Sequence, residues 1–243
     1  MIPMKSDNML ASATRAFSSL FFPTVCYGCG SDLVRKQQLL CLRCIGKIPF
    51  TGFPGKSGNP VEKIFWGRMN VESASSLVYF SKETIVAKLL HQLKYKGKKE
   101  VGEYCGRLIG EAMRDSGISG TIDAIIPLPL YKNKEKMRGY NQAAVICSGI
   151  GSIINKPVFA NVIRRNSFTE TQTRKNRLER WENMQERFVL QDASIIEGRH
   201  VLLVDDVITT GATLEACGSV ILQSKATKLS IFTFAYSSST GYF

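Results

Sequence analysis

Hydrophobic positions in this chain change period several times after residue 70. Ser76 to Phe80 reads as a strand, and two stretches of helical period follow, Lys82 to Lys94 and Lys99 to Asp115, with Gly97 between them. Ile122 to Ile126 is a short apolar run stopped by Pro127 and Pro129, and Asn141 to Ile154 is helical in period. Val158 to Arg164 reads as a strand with a break at Asn161. Val201 to Val204 reads as a buried strand, Thr213 to Gln223 as a helix and Leu229 to Ala235 as a final strand. Parallel neighbours need long, usually helical, connections, so this alternation predicts an α/β fold with a mainly parallel sheet.

The first 50 residues behave differently and carry a cysteine cluster. Thr51 to Pro60 (TGFPGKSGNP) has the composition of a linker, which predicts an N-terminal segment over 1–70 and a main domain over 71–243, with AYSSSTGYF as a surface tail. The 243 residues are 44% hydrophobic and 21% charged, enough for a sizeable core and unlike a disordered chain. The net charge of +12 points to polyanionic partners without choosing among them. The longest uncharged stretch, Gly139 to Asn155, is 17 residues with Asn, Gln and Gly inside it, short of a membrane span. The first 22 residues are interrupted by Arg15 and read as an amphipathic lead-in, so a cytoplasmic protein is expected.

The chemistry concentrates in Val201 to Thr213, VLLVDDVITTGAT. A helix N-terminus offers unpaired amides and the positive end of a dipole, and Gly211 permits the turn that gathers those amides on an anion. Thr209, Thr210 and Thr213 add hydroxyl donors, and Ala212 completes the loop. The segment lacks the G-x-x-x-x-G-K-[ST] and G-x-G-x-x-G patterns of other nucleotide-binding loops. Asp205 and Asp206 stand beside it, and two adjacent carboxylates call for partners such as vicinal sugar hydroxyls or Mg²⁺. One acid could be a plain helix cap, but capping does not need a second acid or this loop.

These thirteen residues resemble the signature of type I phosphoribosyltransferases, which bind 5-phosphoribosyl-1-pyrophosphate (PRPP) with Mg²⁺. The resemblance implies the phosphoribosyltransferase fold, a 5′-phosphate on Thr209 to Thr213, and ribose hydroxyls on Asp205 and Asp206 as the catalytic pair. The C-Y-G-C and C-L-R-C pairs, IIPLPL, RGYNQA and the Q-x₇-R-x₂-N-x₄-F spacing of Gln172, Arg180, Asn183 and Phe188 resemble the ComF family of competence-related phosphoribosyltransferase-like proteins. By that resemblance Pro127, Leu128 and Pro129, with Leu130 and Tyr131, are candidates for pyrophosphate contact. Arg138, Gly139, Tyr140, Asn141 and Gln142 join them as the family motif at a helix start, with Asn141 equally readable as a cap. Lys132, Lys134 and Lys136 read first as solvated surface. Gln172 and Arg180 fall on a polar, basic loop of the kind that type I enzymes close over substrate; Arg174 and Lys175 depart from the small or apolar residues usual there.

Cys26-x-x-Cys29 and Cys41-x-x-Cys44 form two knuckles separated by 11 residues, suited to one tetrahedral Zn²⁺ in a structural site, with an iron–sulfur cluster as the chemical runner-up. Cys105, Cys147 and Cys217 lie in helical patterns and read as packing thiols, and His91 and His200 as structural. Two functions stay open. One is a ComF-like role in DNA uptake, with the uptake machinery as partner and single-stranded DNA bound at Lys94, Tyr95, Lys96, Lys98 and Lys99, where an aromatic sits among four lysines. The other is a nucleotide-metabolism transferase that moves phosphoribose to an unidentified nitrogen acceptor. The oligomeric state, a homodimer included, is not legible in the sequence.

Overall fold

In the main unit, β-branched and aromatic runs form a parallel sheet because helical segments separate them in the chain and cover its faces. The computed structural model describes residues 25–32, 34, 38–166 and 188–238. The chain divides into two compact units, Met1–Ile48 and Pro49–Phe243. The first contains the one-turn helix α1 (Leu42–Ile45).

The second unit opens with the one-turn helix α2 (Pro60–Lys63), followed by β1 (Ser73–Tyr79), α3 (Ile85–Tyr95), α4 (Lys99–Asp115) and β2 (Ala124–Pro127). Then come α5 (Lys132–Arg138), α6 (Gln142–Ile154), β3 (Ile163–Arg165), β4 (Phe188–Leu190), β5 (His200–Ile208), α7 (Ala212–Ile221) and β6 (Lys228–Tyr236). The sheet order is β1-β6-β5-β2 with every pair parallel, while β3 and β4 pair antiparallel. The predicted break at Asn161 corresponds to two pieces. Val158 bridges Ile125 of β2, and Ile163 to Arg165 turn away to pair with β4.

Residues 49–70 are not a linker. Thr51 donates its amide to the Leu77 carbonyl and its hydroxyl to Ser76 O at 2.6 Å, tying the segment to β1. Phe53 packs edge-on against Tyr79 at 5.6 Å, Asn59 caps α2, and Val61 and Phe65 are fully buried. The Gly- and Pro-rich composition encodes a series of tight turns, and the apolar residues spaced between those turns anchor it. The boundary expected near residue 70 therefore lies well inside the second unit.

α4 and α6 cross at backbone contact. A Cβ on Gly106 would lie 2.1 Å from the Ile146 carbonyl oxygen, and one on Gly149 2.3 Å from that of Glu103. Only glycine at both places permits this approach. It holds α6, and with it the RGYNQA segment, close to the sheet. Lys132 to Arg138 is helix α5, and Lys132, Lys134 and Lys136 are exposed on it. Among the described residues no helix is long and apolar enough to cross a membrane.

Candidate functional site

β2 ends one rung before the acid pair. Its last paired residue, Pro127, stands opposite Val204, and Leu128 donates to the Val204 carbonyl at 2.8 Å. The Leu128 carbonyl accepts from Asn141 Nδ2 at 3.0 Å, and β2 stops there while β5 continues to Ile208 against β6. Asp205 and Asp206 are thereby left beside an open edge, at the carboxyl end of the sheet where α/β proteins bind ligands. The sequence pattern ended this strand at Val204; β6 supplies the ladder that extends it.

Each acid has one oxygen engaged by the protein. Asp205 Oδ1 accepts from the Asp206 amide at 2.7 Å, and Asp206 Oδ2 pairs with Lys94 Nζ at 2.7 Å. Burial raises the Asp205 carboxyl to about 8, reinforced by the neighbouring Asp206 charge and opposed by the Asp206 amide, Lys94 and Arg165. Arg165 stacks 3.8 Å from the Tyr131 ring and 5.1 Å from that of Phe188.

The loop after β5 turns at Gly211, whose φ of +74° caps α7. A Cβ there would meet Ile64 at 2.6 Å and Phe65 at 3.2 Å, so the position demands glycine for its backbone angle and for its space. Arg68 donates to the Thr210 and Ile64 carbonyls, at 3.0 and 3.1 Å, and pairs with Glu215 of α7, clamping the loop from outside. Among the described residues no acceptor takes the amide hydrogens of Thr209, Thr210 or Gly211; that of Ala212 reaches the Thr210 hydroxyl only at 3.5 Å. Thr209 and Thr210 are exposed, and Thr213 is half-buried.

Other predicted site residues divide. Asn141 is a cap that accepts from the Ala143 amide, and its Nδ2 donates to the Leu128 carbonyl at 3.0 Å, joining the RGYNQA segment to the end of β2. Gly139 closes α5 in the left-handed region, Leu128 is buried, and Gln142 is buried with an Nε2 that has no partner among the described residues. Arg138 lies over Tyr95 at 5.7 Å. Gln172 and Arg180 lie outside the described residues. The five-residue basic cluster is dispersed. Lys94 faces Asp206, Lys99 lies 5.1 Å from the Tyr140 ring, Tyr95 is 65% exposed, and Lys96 is exposed. Sequence reasoning missed Arg68 as a neighbour of the site and did not foresee Lys94 on Asp206, since nothing in a linear pattern reports which helix end meets which strand.

In the first unit the Sγ atoms of Cys26, Cys29, Cys41 and Cys44 all lie within 4.8 Å of one another. The Cys29–Cys41 sulfur separation is 3.7 Å, close to the roughly 3.8 Å edge of a ZnS₄ tetrahedron with 2.3 Å bonds. The Cys41 amide donates to Cys26 Sγ at 3.3 Å. Burial opposes ionisation of Cys26, but the amides of Cys41, Cys29 and Gly28 outweigh it and bring the thiol down to about 6. The cluster could hold a metal ion. Cys105, Cys147 and Cys217 are buried singly, and burial raises all three thiols.

The chain matches the phosphoribosyl transferase domain family over residues 130–242. Competence protein F of Haemophilus influenzae is 27% identical over 231 residues, covering 88% of this chain and 98% of that protein. Competence protein ComFC of Bacillus subtilis is 34% identical over 110 residues, 45% of this chain and 42% of the relative. The chain is similar to the ComF family of phosphoribosyltransferase-like proteins. The DNA utilization protein YhgH of Escherichia coli is 29% identical over 148 residues, 59% of this chain; the match spans 64% of that relative's length.

Proposed function

We propose that this chain binds PRPP on the Thr209–Thr213 loop and acts in DNA uptake, handling single-stranded DNA on the basic surface next to that loop. The observation that carries the reading is the set of unclaimed amides at Thr209, Thr210 and Gly211 beside two carboxylates, each with one oxygen engaged by the protein. A phosphate monoester accepts from such amides and from the threonine hydroxyls, and the 2′- and 3′-hydroxyls of the same sugar donate to Asp205 and Asp206. Pro127 to Pro129 and Arg138 border the place where the pyrophosphate end would lie. Mg²⁺ arriving with PRPP would neutralise pyrophosphate charge. Zn²⁺ is the ion that suits Cys26, Cys29, Cys41 and Cys44, because four thiolates leave no open coordination position.

The DNA role draws support from the names of the competence relatives, from the net charge of +12, and from exposed Tyr95 with Arg138 and Lys96 at its side. A base can stack on such a ring while cations meet phosphates. The deciding experiment is calorimetric titration of PRPP with Mg²⁺ into the full chain and into Asp205→Ala/Asp206→Ala. Binding lost in the double variant supports the reading, and equal heats overturn it. For DNA, the full chain should retard a single-stranded oligonucleotide with a steep salt slope that Lys96→Glu/Lys99→Glu flattens. Pyrophosphate release with a panel of nucleobases, and no oligonucleotide retention, would instead identify a nucleotide-metabolism transferase.

A further inference from the structure

The end of α3 is built to deliver one lysine to the acid pair. The helix buries Val86, Leu89, Leu90 and Leu93 against the unit, and Lys94 follows Leu93 in its last turn. Three contacts from the RGYNQA region secure that turn. The Tyr140 hydroxyl donates to the Leu93 carbonyl, the Arg138 guanidinium covers the Tyr95 ring, and the Lys99 ammonium lies over Tyr140. Lys94 Nζ then sits 2.7 Å from Asp206 Oδ2, with side-chain exposures of 23% and 12%. A lysine kept for nucleic acid would be solvated, whereas this one is spent on a largely buried carboxylate that would be costly to bury alone.

We propose that Lys94 is a positioning residue of the phosphoribosyl site, fixing Asp206 through Oδ2 so that Oδ1 is left for a sugar hydroxyl; this rests on the PRPP reading above. Asp205 feels both Lys94 and Asp206, Cys105 feels Asp206, and Cys147, Cys217 and Arg165 are linked to Asp205 instead. Lys94 is thus the cation in contact with Asp206 among the described residues. The RGYNQA segment, which begins 44 residues downstream, contributes to the site through this lysine as well as through its own side chains.

The test is a double-mutant cycle read by calorimetric titration of PRPP with Mg²⁺ into the full chain: wild type, Lys94→Met, Lys94→Arg, Asp206→Asn and Lys94→Met/Asp206→Asn. Lys94→Met should weaken PRPP by about tenfold or more, Lys94→Arg should restore most of the loss, and the double variant should bind no more weakly than the worse single variant. Thermal melts check that each variant folds, and Lys94→Gln replaces Lys94→Met if the latter does not melt cooperatively. Lys94→Met binding within about twofold of wild type, or losses that multiply in the double variant, would overturn the inference while leaving the PRPP reading standing. No heat from the wild type would overturn both.

Discussion

The four-cysteine unit and the sheet unit use the same residue type in opposite ways. In Met1–Ile48 four thiols converge within 4.8 Å, and the turns around them are short backbone bonds such as Gly30 N to Cys26 O at 2.8 Å. In Pro49–Phe243 three thiols, Cys105, Cys147 and Cys217, are buried in the core. A segment as short as the first unit has little apolar surface to bury, and a metal ion held by the four thiols would supply stability that burial does not. The sheet unit is stabilised by burial and can leave its polar groups at one edge free for a ligand.

The largest expected effect breaks that contrast at its metal. Chelation, or Cys26→Ser with Cys41→Ser, should unfold the first unit, since structural zinc contributes about 10–16 kcal/mol in comparable small domains, while the sheet unit melts at an unchanged temperature. Limited proteolysis with metal analysis checks this; a first unit that stays resistant after metal removal would refute it. Next in size, Gly211→Ala should destabilise the sheet unit by about 2–3 kcal/mol, combining a left-handed backbone angle with overlap onto Ile64 and Phe65, and should abolish PRPP binding. Calorimetric melting measures the first effect and titration the second.

A third effect is pH-dependent and of intermediate size. The Asp205 carboxyl is raised to about 8, so the folded chain holds this proton more tightly than the unfolded chain does. Its stabilising contribution is therefore full below the ordinary carboxylate range near 4 and is lost as pH climbs towards about 8. Asp205→Asn should flatten the fall in melting temperature across that window and be more stable than wild type at its alkaline end. An unchanged slope would show that another group carries it. The smallest effect is Arg68→Ala, which removes the clamp on the Thr210 carbonyl and should cost about 1 kcal/mol in stability and several-fold in PRPP affinity. Unchanged affinity would show that Gly211 and its packing hold the loop without help.

Much of the candidate site was legible because it is contiguous. Thirteen residues carry a strand, two acids, a glycine turn and a helix start, and local backbone physics suffices to fold them that way. The cysteine knuckles were legible for the same reason, their spacing being chemistry written along the chain. Residues 49–70 were misread as a linker because their glycines and prolines signal turns, and composition does not reveal that Phe53, Val61 and Phe65 are buried among those turns. Lys94 on Asp206 was not foreseen because a lysine beside a tyrosine looks the same whether it faces solvent or a carboxylate 112 positions away.

The amino-acid order alone thus establishes the parallel α/β class, the strand, acid pair, glycine turn and helix in succession, and the four-cysteine cluster, since each depends on periodicity or spacing within a few residues. Which groups surround the loop was settled by chain packing: Arg68 under Thr210, Ile64 and Phe65 against Gly211, Lys94 on Asp206, and β2 stopping one rung short of the acids. Those neighbours come from distant segments brought together by burial of the sheet's faces, and a burial term that is non-directional leaves no short-range mark in the chain.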